Sequence, residues 1–188
     1  MRSKKILIFV CVLLATISIA YTLGIYGADL KQKWEQNKKR RQSTEAVLKQ
    51  MGNTIEVGGY LPNSILEDLN GNSVKLSDIT CSKSLIVFSL PGCGYSIRQL
   101  QSMKACSLST ETEKCFILIS DENPFELMYI REQHGLQCTI LHDRDRVFMK
   151  SLGIFTSPFN VCVDKDLRIL DIMGGSLSSN EIKEYFPE

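Results

Sequence analysis

Ser84-Leu85-Ile86-Val87-Phe88-Ser89-Leu90-Pro91-Gly92-Cys93-Gly94-Tyr95-Ser96 is the stretch on which the reading of this chain turns. Residues 84–90 are almost continuously apolar, the pattern of a central strand covered on both faces. Pro91-Gly92-Cys93-Gly94 breaks that pattern, and Ile97, Leu100 and Met103 then recur at helical spacing. The spacing predicts a strand, a tight turn and a helix running to about residue 105, with Cys93 at the helix start. A helix start carries unpaired N–H groups and the positive end of the helix dipole, which favour negative charge. The thiolate is the reactive form of cysteine, so a nucleophilic thiol is expected there.

Working outward, residues 115–120 read as a second buried strand. Pro124 opens a helix that ends at His134-Gly135, with proline in the first turn and glycine as the stop. Residues 137–141 form a short strand, and residues 146–152 a helix closed by Gly153. His142-Asp143-Arg144-Asp145-Arg146 reads as a solvated turn, with Asp145 helping to cap the helix after it. Residues 160–163 and 168–173 are strands joined by Asp164-Lys165-Asp166, and Ser179 is expected to cap a last helix reaching about Phe186. Upstream, residues 64–69 and 73–76 flank Asn70-Gly71-Asn72, a hairpin signal. A hairpin, alternating β and α units, then an antiparallel hairpin and a helix imply an α/β domain. Its mixed β-sheet should carry helices on both faces.

This order resembles the thioredoxin-like superfamily, with a cysteine just after the first central strand and Pro158 just before the final hairpin. Within it, the chain is similar to the membrane-anchored TlpA-like and redoxin-like thiol-disulfide oxidoreductases. Val57-Gly58-Gly59-Tyr60-Leu61-Pro62 through Leu76-Ser77-Asp78-Ile79 resembles that group's N-terminal hairpin. Leu85-Ile86-Val87-Phe88 leading to Cys93 resembles its active-site strand, and Gly153-Ile154-Phe155-Thr156-Ser157-Pro158-Phe159 its cis-proline segment. The resemblance spans about residues 55–187. It implies thiol-disulfide exchange on protein thiols and disulfides, with Cys93, Ser96 and Pro158 at the catalytic positions and Gly94, Tyr95 and Ser157 contacting substrate. No cofactor and no metal are expected.

The family's C-x-x-C motif reads Cys93-Gly94-Tyr95-Ser96 here, a C-x-x-S variant, and Gly92 stands where tryptophan is common. A thiolate attacks a disulfide to form a mixed disulfide. Ser96 cannot release that adduct. A client should therefore be held longer, or released by a redox partner or a glutathione-like thiol. Pro158, if cis, turns the preceding backbone toward Cys93, where an extended peptide can add as a strand. Two alternatives stand beside this reading. One is a redox-inactive binding module or scaffold. The other is a peroxiredoxin-type peroxidase, against which Leu90 occupies the place where that family carries Thr or Ser.

The 188 residues suffice for one domain and an appendage, and the net charge of +1 argues against a nucleic-acid partner. After Arg2, Lys4 and Lys5, residues 6–27 carry no charge, and 22 residues at 1.5 Å each span the ~30 Å core of a bilayer. Residues 1–27 are thus expected to be a membrane anchor, with a signal peptide cleaved near Ser18-Ile19-Ala20 as the other reading. Residues 28–54 read as a polar juxtamembrane spacer and residues 55–188 as the thioredoxin-like domain. Six basic residues between 31 and 41 would by themselves favour a cytoplasmic domain. The signal-like layout and the resemblance favour an extracytoplasmic one, periplasmic or at the cell surface, which is the expectation kept. Of seven cysteines, Cys106 sits ~20 Å along the helix from Cys93, too far to bridge. A Cys106–Cys115 pair stays open. Cys115 and Cys162 read as core, and Cys81 and Cys138 have no evident role.

Overall fold

The computed structural model describes residues 24–44, 46–47, 55–90, 92–107 and 115–186. The chain forms two compact units, Met1–Arg40 and Arg41–Glu188. Residues 24–44 are helical (α1), held in the first unit by a Lys33–Asp29 ion pair one turn apart and by Lys38 over the Trp34 ring. None of the described helices is long and apolar enough to cross a membrane. The expected anchor falls almost wholly on residues 1–23, outside the described residues.

The second unit is built on a seven-stranded mixed sheet of order β2-β1-β5-β4-β3-β6-β7. Its strands are β1 (Ile65–Asp68), β2 (Ser73–Lys75), β3 (Ser84–Phe88), β4 (Cys115–Ser120), β5 (Thr139–His142), β6 (Phe159–Val163) and β7 (Ile169–Gly174). β3, β4 and β5 run parallel, while β6 and β7 return antiparallel on one side. The β1–β2 hairpin joins the other side through an antiparallel β1–β5 pair. The helices are α2 (Gly94–Ser107), α3 (Pro124–His134), α4 (Val147–Ser151) and α5 (Ser179–Tyr185).

The apolar run in β3 is explained by its place at the middle of two cores. Ile86 and Phe88 pack into one layer with Phe148, Met149 and Ile154, and Leu85 and Val87 into the other with Leu100, Met103 and Ile182. All five β3 residues are buried. α2 turns Ser96, Gln99, Leu100, Met103 and Cys106 inward, and Ile97 is only half-buried. α3 matches expectation: the Asn123 side chain accepts from Phe125 N–H, Pro124 opens the helix, and Gly135 ends it at φ 57.

Two expected caps are corrected. α5 is capped by Ser178, not Ser179, in a reciprocal box with Glu181. α4 is served by Asp143, not Asp145. Asp143 is buried, and its two carboxylate oxygens accept from Phe148 N–H (2.9 Å) and Met149 N–H (2.8 Å). Asp145 and Arg146 both have φ 58, so the chain loops between the acceptor and the helix it caps. Asp143→Ala leaves two buried donors unsatisfied and is expected to cost about 1–3 kcal/mol, read as a lower urea midpoint. Asp143→Asn should recover part of the loss.

The edge strand β7 is covered at one end by the start of this unit. Gly174 N–H donates to Thr44 Oγ1 at 3.2 Å, and Arg41 pairs with Asp171 at 2.8 Å. Tyr185 donates to the same carboxylate at 2.7 Å, and burial, aided by Asp171, pushes its phenol pKa up.

Candidate active site

Cys93 lies in the short connection after β3 and immediately precedes the first residue of α2. Its N–H donates to the Leu90 carbonyl at 3.0 Å and its carbonyl accepts from Ile97 N–H at 3.1 Å, so it stands at the N-cap position. It is half-buried. Gly92 and Gly94 on either side are exposed, and no atom lies within 4 Å of where their Cβ atoms would be. Neither flanking residue therefore places a side chain beside the sulfur. Tyr95 is 60% exposed, with the Arg98 guanidinium 5.4 Å above its ring.

Ser96, three residues further on, is fully buried. Its Oγ lies 3.0 Å from Ser157 Oγ, and Ser157 Oγ accepts from Leu90 N–H at 2.7 Å. One hydroxyl, that of Ser157, thus joins the end of β3, the first turn of α2 and the loop before β6. The Ser157–Pro158 peptide is cis. The loop faces Cys93 because β6 pairs antiparallel with β3, Phe159 opposite Phe88. Entry to β6 and exit from β3 therefore lie at the same end of the sheet. Cys93, Gly94, Tyr95, Ser96, Ser157 and Pro158 are all brought to that end.

Among the described residues no second thiol joins them. Cys106 is buried, its Sγ donating to the Ser179 carbonyl at 3.3 Å. Burial pushes the Cys138 and Cys162 thiols up to about 12. Cys81 and Cys115 form a disulfide, with Cα atoms 5.9 Å apart. This corrects the reading of Cys115 as a core thiol and settles the open Cys106–Cys115 pair against it. The register that explains the bond puts Ser84 opposite Cys115, so the segment entering β3 passes the start of β4. At neutral pH, iodoacetamide is expected to alkylate Cys93 first, to label half-buried Cys138 more slowly because its pKa is raised, and to leave buried Cys106 and Cys162 unlabelled until the protein is unfolded, as peptide mass spectrometry would record. Equal labelling of Cys138 and Cys93 in the native protein would contradict the burial that raises the Cys138 pKa.

Two polar residues near the site escaped the sequence reading. Gln99 is buried on α2, and its Oε1 accepts from Leu177 N–H at 2.6 Å. Asn160, buried in β6, donates to the carbonyls of Met173 (3.1 Å) and Gly175 (2.8 Å). Together they fix the β7–α5 connection beneath α2. His142 ends β5, two strands away from β3, with its Nδ1 3.8 Å from Glu67. Among the described residues no three His, Cys, Asp or Glu side chains cluster as a metal site.

A mixed sheet with a cysteine at the start of α2 and a cis-proline loop facing it defines a thioredoxin-like protein. The chain belongs to the Redoxin family, whose model matches residues 56–185. It is 30% identical over 96 residues to peroxiredoxin bcp1 of Schizosaccharomyces pombe, covering 44% of this chain and 49% of that protein. The chain thus spans about half the length of that relative. It is 20% identical over 133 residues to the thiol-disulfide oxidoreductase ResA of Bacillus cereus, covering 70% and 77% of the two chains. Among solved structures it is similar to a secreted disulfide oxidoreductase of Mycobacterium tuberculosis, with TM-score 0.58 and 15% identity over 65% of this chain and 93% of the other.

Proposed function

We propose that the chain carries out thiol-disulfide exchange on protein thiols through Cys93 as its single nucleophile. The observation that carries this reading is the thiol's setting. Cys93 is half-exposed at a helix start, between two glycines that leave it open and against a cis-proline loop. The Cys93 thiolate attacks one sulfur of a client disulfide, a Cys93–client disulfide forms, and the client's other sulfur leaves as a thiolate. Phe155 and Thr156 are exposed and Ser157 half-buried, so this segment offers an extended client a place to pair beside that sulfur. Ser96 has no sulfur with which to displace the client, so release needs a thiol from another molecule. The ResA relative, a thiol-disulfide oxidoreductase by name, supports exchange chemistry. The Cys81–Cys115 disulfide supports placing the domain in an oxidising compartment outside the membrane, since such bonds persist there and are rare in the cytosol.

Cells quenched in acid, alkylated and run on non-reducing gels test the reading. Adducts of the full chain should disappear with reductant and in the Cys93→Ala variant. Their absence from the natural chain, with Cys93 slow to alkylate, would leave a thioredoxin-fold binding module. The match to a peroxiredoxin favours a second reading, a peroxidase. Loss of hydrogen peroxide at the rate of a control thiol solution, and no faster, would remove it.

A further inference from the structure

The large apolar side chains of α1 fall on one stripe. Tyr26, Leu30 and Trp34 recur at every fourth residue and are 66%, 50% and 59% exposed. At about 100° per residue they cover roughly 80° of the helix surface. Lys33 and Arg40 flank that stripe on one side and Lys31 and Lys38 on the other, while Glu35 and Lys39 fall opposite it. The Lys38 ammonium sits 4.9 Å from the centre of the Trp34 ring, so a cation rides on the largest apolar group of the stripe. Lys33 is paired with Asp29, but both side chains are exposed, and such a contact yields readily to water or to another anion. Charge is also segregated along the chain. Arg41–Glu188 holds 14 of the 22 Lys and Arg but 19 of the 21 Asp and Glu, so the basic excess lies ahead of it. Finally, α1 takes over from the uncharged run of residues 6–27, whose length suits a bilayer core, where headgroups would begin.

We propose that α1 lies along the surface of a bilayer containing anionic phospholipid, with Tyr26, Leu30 and Trp34 among the headgroups and Lys31, Lys33 and Lys38 on lipid phosphates. Helices that lie in the membrane interface combine an apolar stripe with flanking Lys and Arg. Trp and Tyr suit that layer because an apolar ring carries a polar tip. Lysine stems run along the apolar stripe while their ammonium groups reach the phosphates. An anionic surface attracts this basic helix and repels the acidic Arg41–Glu188 unit, so the attraction belongs to α1 and not to the chain at large. The contact is distinct from an anchor in residues 1–27, since five Lys and Arg between residues 31 and 40 keep α1 from crossing. It does not depend on the chemistry at Cys93.

Trp34 is the only tryptophan of the chain, so tryptophan fluorescence reports on this face alone. The full chain is reconstituted into vesicles of phosphatidylcholine, or of a roughly 2:1 mixture of phosphatidylcholine and phosphatidylglycerol. In the mixed vesicles Trp34 emission should move to the blue, and its quenching by acrylamide should fall at least threefold relative to phosphatidylcholine alone. Salt at about 1 M should reverse most of the change, because it screens charges beyond ~3 Å. The Lys31→Gln/Lys33→Gln/Lys38→Gln variant should show no difference between the two lipids. Lys39→Gln, on the opposite side, should keep the difference. Lysine and glutamine have similar helix propensities, so both variants keep the helix. Equal quenching in the two lipids, whether Trp34 is exposed or shielded in both, overturns the proposal. So does an equal fall in quenching when soluble polyglutamate or duplex DNA is added to the phosphatidylcholine vesicles, which would make α1 a general polyanion site.

Discussion

Ser96→Cys is expected to shorten the life of the Cys93 mixed disulfide at least a hundredfold and to remove the requirement for an external thiol. Cys93 caps α2 and Ser96 lies three residues on, a spacing that puts side chains on one face of a helix turn. A thiol held there attacks as an intramolecular neighbour, and neighbouring groups act at effective concentrations of mM and far above. The position is fully buried, so the new sulfur meets the Cys93 adduct before it meets any other disulfide. Packing constrains the change only modestly. Ser157 Oγ stands 3.0 Å from Ser96 Oγ, and a larger sulfur needs a few tenths of an ångström more, at a stability loss of about 1–2 kcal/mol. The readout is thionitrobenzoate released from the Cys93 adduct with no thiol added: complete in Ser96→Cys, absent in the natural chain and in Ser96→Ala. An adduct equally long-lived in all three would mean that residue 96 does not occupy the resolving position.

The contrast between what the chain announced and what it concealed follows from the range of the signals. The β3 run, the Asn70-Gly71 hairpin and the Pro124-to-Gly135 helix were legible because each depends on neighbours within a few residues. The Cys93 position was legible for the same reason, as a local break from a buried strand to a helix. Ser178 in place of Ser179 is a one-residue displacement of the kind that cap chemistry alone leaves open, because both are serines. Asp143 in place of Asp145 is a longer-range failure. Its carboxylate reaches five and six residues forward across two left-handed residues, a path no helical period encodes. Gln99 and Asn160 look like surface residues in sequence, and only the approach of the β7–α5 connection gives them partners. The Cys81–Cys115 bond is the same kind of case: thirty-four residues separate its ends, and only parallel pairing of β3 with β4 sets them side by side.

Loss of that disulfide should be the largest stability change available from a mild treatment. Closing a loop of 34 residues in the unfolded chain corresponds to about 3–4 kcal/mol in the chain-entropy account. For a domain of this size, each kcal/mol moves the thermal midpoint roughly 2–4 °C, so reduction should lower it by roughly 10 °C. The loop spans β3, Cys93 and the whole of α2, so the bond restrains the segment that carries the thiol. Yet it lies at the opposite end of β3 from Cys93, about 16 Å along a five-residue strand. The cross-link should therefore support the site without exchanging with it. Thermal unfolding of the full chain with and without a phosphine reductant measures the first effect, and the Cys81→Ala/Cys115→Ala variant should melt as the reduced protein does and ignore the reductant. Adduct formation by Cys93 in that variant at 25 °C measures the second and should keep its natural rate. A midpoint unmoved by reduction would mean that the bond contributes nothing to folding. A slowed Cys93 reaction with the fold intact would mean that the two sulfur centres communicate through β3, contrary to their separation.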